Sequence, residues 1–301
     1  MIPKKTGVGK RSFPTPVFSA HFMEWYERTF EEEVQRAGER LDPFRAGLLF
    51  AREIAYPDLD PAEAEAVLES FASVARQAAA AEADLHGKVA ALNEYFFDRL
   101  GFGGDREDYY DPENSYLNRV LASRRGIPIS LSVIYVEVAR RAGVTAAGIG
   151  LPGHFIVAAG DDSPGAPIYL DPYNGGSPLT VEDCQRLVRE STGHQGPLDP
   201  AWLRPAPPRA IVGRMLNNLR GIYTQREQWP ESAAVIKRLA ALEPEAAEHI
   251  RDLGLIHYRD GQLRSSLALL EEYLARRPEA PDFEQVRGTA LLLGGHLSRL
   301  N

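Results

Sequence analysis

The sequence predicts an α+β domain, rich in helix and holding a small antiparallel sheet, followed by an all-α domain. Three observations carry this expectation. Apolar residues recur at helical spacing from Phe18 to about Leu100, and again beyond residue 210. Between those regions, AAGIGLPGHFIVAAG and APIYLDPYNGG are short apolar runs bounded by glycine and proline, which read as an antiparallel pair of strands. The proline-rich segment PLDPAWLRPAPPR, residues 197–209, separates the mixed region from the helical one.

The elements follow in chain order. Residues 1–15 read as a flexible arm whose Lys4, Lys5, Lys10 and Arg11 form the one locally basic run. A helical domain then begins near residue 16. FSAHFMEWYERTFEEEVQRAG puts Phe22, Trp25, Tyr26, Phe30 and Val34 on one broad face. DPFRAGLLFAREI continues the helical pattern up to a break at Tyr56-Pro57. LDPAEAEAVLESFASVARQAAA follows, with Asp60 as N-cap and Pro61 at the first helical position. Another helix spans about Lys88 to Leu100 and stops at Gly101. GFGGDREDYYDPENS is a glycine- and acid-rich loop, either a lid over a cleft or a solvated connection, and SYLNRVLASRR is a short helix. RRGIPISLSVIYVEVARRAG combines a tight Gly-Ile-Pro entry, two serines and an amphipathic helix from Leu131 to Ala142. The strands come next, then the helix LTVEDCQRLVRE, and the first domain closes near residue 200.

From residue 210 to 301 the chain carries an internal period. Pro244 and Pro278 stand 34 residues apart, the tetratricopeptide spacing, and Leu219 and Leu253, Tyr223 and His257, and Ile236 and Leu270 share a register. Two repeats and a capping helix from Phe283 to Leu300 make a short array, expected to pack on the first domain.

Composition bounds the function. The chain has 301 residues, 44% hydrophobic and 25% charged, with a net charge of -8, so no nucleic-acid partner is expected. No apolar run is long enough for a membrane span or a signal peptide, which points to a cytoplasmic protein without a membrane partner. A single cysteine, Cys184, and histidines without ligand spacing argue against a metal site, and GFGGD lacks the lysine of a phosphate loop. No cofactor is expected.

The candidate chemistry lies in Ser130 (with Ser132 as a second hydroxyl), His154 and Asp171. A histidine can take a proton from a helix-borne nucleophile while an aspartate fixes its tautomer. Ser130 can equally cap its helix, and Asp171 can equally open a turn before Pro172. Cys184, in mid-helix, reads as a small hydrophobe. Asn114 and Arg125 flank the helix entry as candidate cleft-binding residues, Arg125 for a carboxylate, with a cap or a structural ion pair as their plainer roles.

Four stretches, AYPDLD, RRGIPISLSVIYVEVARRAG, LPGHFIV and YLDPYNGG, resemble the bacterial SirB-type family, transglutaminase-like proteins with C-terminal tetratricopeptide repeats. The resemblance covers about residues 40–280. It implies a papain-like transglutaminase core, whose catalytic order is Cys, His, Asp. The histidine carries over onto His154 and the aspartate onto Asp171. The cysteine does not: counting back from Gly143, its position falls on Pro128, with Ser130 and Ser132 the nearest hydroxyls. Three readings follow. The chain is a non-catalytic member that binds a peptide or protein partner through its cleft and repeats, the reading preferred here. Alternatively it is an amide or ester hydrolase or acyl-transferase using Ser130, His154 and Asp171. In the third, the repeats carry the function on a scaffold.

Overall fold

A computed structural model of the protein describes residues 25–160 and 167–299. The arm expected over residues 1–15 and Phe22 lie outside the described residues. Four helices open the described chain: α1 (Phe30–Ala37), α2 (Pro43–Ile54), α3 (Pro61–Ala80) and α4 (Leu85–Asn93). Their starts are written in the sequence. Thr29 and Glu32 form a reciprocal capping box, and Asp42 and Asp60 each accept first-turn N–H groups ahead of a proline at the first helical position. α4 runs into a π-helical turn over Glu94–Arg99 where a plain helix was expected.

The acidic loop then threads past a two-residue parallel pairing of β1 (Gly103–Gly104) with β2 (Arg125–Gly126), a 3-10 turn at Pro112–Ser115 and α5 (Leu117–Ser123). Next comes α6 (Pro128–Arg141), which is not amphipathic. Residues 128 to 135 are all buried, and so are Glu137, Val138 and Ala139. A helix apolar on nearly every face belongs at the centre of a core, and α6 packs against α3, α5, β3 and the 3-10 turn at Pro172–Asn174.

The sheet has four strands in the order β3 (Ala146–Ile149), β4 (Ile156–Ala159), β5 (Ile168–Asp171), β6 (Ser177–Leu179), every pair antiparallel. It is thus twice the expected pair. Side chains alternate across it. Val157, Ala159 and Leu170 join the main core, whereas Ile156, Ala158 and Tyr169 face α7 (Val181–Thr192) in a satellite core that includes Cys184 and Val188.

Five helices complete the chain: α8 (Pro208–Gln225), α9 (Trp229–Leu242), α10 (Glu248–Arg259), α11 (Leu263–Arg276) and α12 (Phe283–Arg299). Leu219, Ile236 and Leu270 are fully buried and Leu253 partly so, as their shared register requires. The main core does not stop at the proline-rich segment. It runs from Trp25 through Leu242, so α8 and α9 pack on α1 and α2 as part of the same apolar mass. A separate small core joins α10, α11 and α12.

Candidate functional site

The candidate residues lie at the entry to α6 and at one end of the sheet, where the start of β4 meets the end of β5. Ser130 lies in the first turn of α6, fully buried. Its hydroxyl accepts from the Ile127 N–H at 3.1 Å and lies 2.7 Å from the Asn114 carbonyl, to which it donates. The same side chain ties the helix start to the 3-10 turn, and Gly126 leaves it room, because a Cβ there would stand 2.7 Å from Ser130 Oγ and force a shift. No hydrogen bond joins Ser130 to His154; its partners are Asn114 and Ile127. Ser132, also fully buried, has no hydrogen-bond partner among the described residues.

His154 and Asp171 do meet. Asp171 ends β5, and His154 follows the Pro152-Gly153 turn that feeds β4, rather than lying within a strand. His154 Nε2 is 3.0 Å from Asp171 Oδ2. Burial by itself would raise the Asp171 carboxyl. The hydrogen bond and charge of His154, and then the Asn174 amide donors, outweigh it and hold the carboxyl below its ordinary range. An ionised carboxylate only accepts, so Nε2 carries a proton in this pair, and in the neutral ring Nδ1 is the nitrogen without one. Asp171 also performs the turn role. Its Oδ1 accepts from the backbone N–H of Tyr173 at 3.0 Å and of Asn174 at 3.3 Å, and the Asn174 side chain donates to Oδ2 at 2.7 Å.

Aromatic side chains wall this pair. The Tyr173 ring stands edge-on to His154 at 6.4 Å and to Tyr109 at 6.0 Å. Its hydroxyl donates to the Asp105 carbonyl at 2.7 Å, and its ring lies so close to Gly104 that a Cβ there would approach to 2.4 Å. The acidic loop therefore packs against the site. Asn114 is buried and holds that loop, donating to Asp105 Oδ2 at 3.2 Å and to the Asp108 carbonyl at 2.7 Å. Arg125 is exposed and donates to the Gly101 carbonyl at 3.1 Å. Both candidate binding residues are thus engaged in shaping the loop.

One contributor has no local signal in the sequence. Arg214, from α8, donates to the Leu151 carbonyl at 3.0 Å and to the His154 carbonyl at 2.8 Å, with its guanidinium 5.4 Å from the centre of the Phe155 ring. The first helix of the repeat region thereby clamps the histidine turn. Cys184 stays on the far side of the sheet, in the α7 core. Burial, reinforced by Asp183, pushes its thiol up to about 11, which removes it as a nucleophile near neutral pH. Among the described residues no group of three or more His, Cys, Asp or Glu side chains is arranged to hold a metal ion.

With this geometry in view, comparisons with known proteins are specific. Residues 62–217 match the Transglutaminase-like superfamily, and residues 219–289 match the Tetratricopeptide repeat. A UPF0162 protein of Xylella fastidiosa (strain Temecula1) is 38% identical over 253 residues, covering 83% of this chain and 89% of that protein. A UPF0162 protein of Vibrio cholerae is 27% identical over 209 residues, 68% of this chain and 76% of the other. F-box only protein 21 of Homo sapiens is 38% identical over 114 residues, 36% of this chain and 18% of the human protein.

Proposed function

Because the chain belongs to the transglutaminase-like superfamily, with tetratricopeptide repeats behind that domain and similarity to UPF0162 proteins over most of its length, we propose that it is a non-catalytic member that binds a peptide or protein partner. One observation carries the reading. The His154–Asp171 pair is intact, while the hydroxyl nearest the helix entry is buried and committed to the fold through Asn114 and Ile127. Acyl transfer needs a nucleophile within hydrogen-bond reach of its base. Pro128 stands where the cysteine of the resembling family is expected and supplies none. A serine-dependent hydrolase or acyl-transferase built on Ser130 would require that side chain to leave three fixed contacts, and is supported less.

In this reading the histidine and the aromatic rings of Tyr109 and Tyr173 form the floor and wall of a peptide cleft, and the repeats add a second surface. Tetratricopeptide repeats mediate protein–protein contacts, which fits a two-surface binder. The SirB-type branch and a cytoplasmic location complete the assignment. The test is selection of a displayed random-peptide library on the full chain, followed by nuclear magnetic resonance of the selected peptide. The reading requires shifts at His154 and Tyr173 and loss of binding in Tyr173→Ala. Binding that leaves both residues unmoved and survives Tyr173→Ala would overturn the cleft assignment.

A further inference from the structure

Behind the 3-10 turn at Pro112–Ser115, where the end of α2 meets α5, α8 and α9, lies an open cavity of about 460 Å³. Its walls include the rings of Tyr56, Tyr116 and Tyr223 and the polar ends of Asp111, Gln228 and Glu231. Neither His154 nor Asp171 lines it.

The hydrogen bonds of this cavity do not close. Tyr116 and Tyr223 are 1% and 3% exposed, and their hydroxyls bond each other at 2.7 Å. Two hydroxyls own two protons and that bond uses one, so one buried phenol O–H is left without an acceptor among the described residues. Gln228 Oε1 is buried and accepts nothing from the described residues. Glu231, in the first turn of α9, has no ion pair or side-chain hydrogen bond among the described residues. Asp111 uses Oδ1 to cap the Glu113 N–H and leaves Oδ2 open. Glu113 is neutralised by Arg119 at 2.9 Å.

These vacancies have a sign. Three acceptors, two of them on carboxylates, stand against one donor. The open carboxylates of Asp111 and Glu231 make that part of the wall electronegative; the Tyr56 phenol beside it is held up at about 12, by burial first, with Glu113 adding to the rise and Arg119 opposing it. Its rings offer faces to a cation, and Tyr56 already has one, with the Arg119 guanidinium 6.0 Å above it. Anions are repelled, and a neutral ligand leaves the carboxylates unpaired.

We propose that this cavity binds a donor-rich alkyl cation, a guanidinium or ammonium group, presented on an arginine or lysine side chain of a partner protein or carried by a free polyamine. The open mouth admits such a group from solvent, the carboxylates and Gln228 Oε1 take its N–H donors, and the tyrosines enclose its alkyl stem. A weak, salt-sensitive interaction is expected of a single cation on a partly exposed acidic site.

The test uses the full chain and nuclear magnetic resonance titration at low salt. The probes are the capped peptide Ala-Arg-Ala, its citrulline counterpart, and spermidine. Saturable shifts at the amides of Asp111, Gln228 and Glu231 are expected with the arginine peptide or spermidine, and whichever binds more tightly identifies the source. Citrulline is expected to shift nothing. Glu231→Gln should weaken binding about tenfold, and Gln228→Leu serves as a second variant should the first unfold. Absence of shifts with both cations, equal binding of citrulline, or undiminished binding in both variants would overturn the proposal.

Discussion

Replacing Ser130 by alanine removes one oxygen from a position with no exposure to water. That oxygen donates to the Asn114 carbonyl at 2.7 Å and accepts from the Ile127 N–H at 3.1 Å. After the substitution these two backbone groups have only each other, at 3.4 Å. Losing a helix-start acceptor costs about 1 kcal/mol. Stranding a buried polar partner costs about 1–3 kcal/mol more, less here because the two groups can draw together. A loss of about 2 kcal/mol follows, corresponding to roughly 4–8 °C in the melting temperature at roughly 2–4 °C per kcal/mol. Urea and thermal unfolding, followed by circular dichroism, measure it. A nucleophilic serine facing an open cleft behaves differently, since its removal costs within about 0.5 kcal/mol, as for other surface substitutions. If Ser130→Ala unfolds within that margin of the native chain, the structural role assigned to this serine is wrong.

Other outcomes follow from the same structure. Gly104→Ala should force a methyl to within 2.4 Å of the Tyr173 ring, costing about 1–3 kcal/mol by overpacking and shifting the His154 ring resonances. Tyr116→Phe and Tyr223→Phe each leave the other buried hydroxyl alone, so each should cost about 1–2 kcal/mol, while the double variant costs less than their sum in a double-mutant cycle. The lowered Asp171 carboxyl stabilises the fold above the ordinary aspartate value of about 3.9, and that contribution is lost as pH falls through the still lower folded value. The stability gap between the native chain and Asp171→Asn should accordingly be widest near neutrality and narrow in acid, and a gap constant from pH 7 to pH 3 would contradict the assignment. Cys184, with its thiol pushed up to about 11, should react with Ellman's reagent at pH 8 only once urea opens the α7 core.

Much of the fold was legible because its signals are local. Asp60 before Pro61 marks a helix start in any context, and the 34-residue spacing of Pro244 and Pro278 locates the repeats without tertiary information. The sheet was half visible. AAGIGLPGHFIVAAG contains both β3 and β4, and β6 spans three residues with a proline, too short for alternation to register. The span from Leu131 to Ala142 reads as amphipathic, yet its Ser132 and Glu137 are buried, Glu137 held by Arg140 and Arg141. At the site, the ordered His154 and Asp171 motifs anticipated a pair that the geometry brings to 3.0 Å. Arg214 was invisible, since its contacts with the His154 turn span 60 and 63 residues and no period or motif encodes them. Asn114 and Arg125 carried polar signals that sequence cannot divide between binding a ligand and holding a loop.

Covalent labelling tests directly whether a working nucleophile stands beside the His154–Asp171 pair. The native chain is incubated with a fluorophosphonate and its intact mass is measured, with Ser130→Ala and His154→Ala alongside. An unmodified mass is expected in all three if the protein is a non-catalytic binder. A single adduct on Ser130, lost in both variants, would contradict it and establish a serine acyl-transfer enzyme in place of a binding protein.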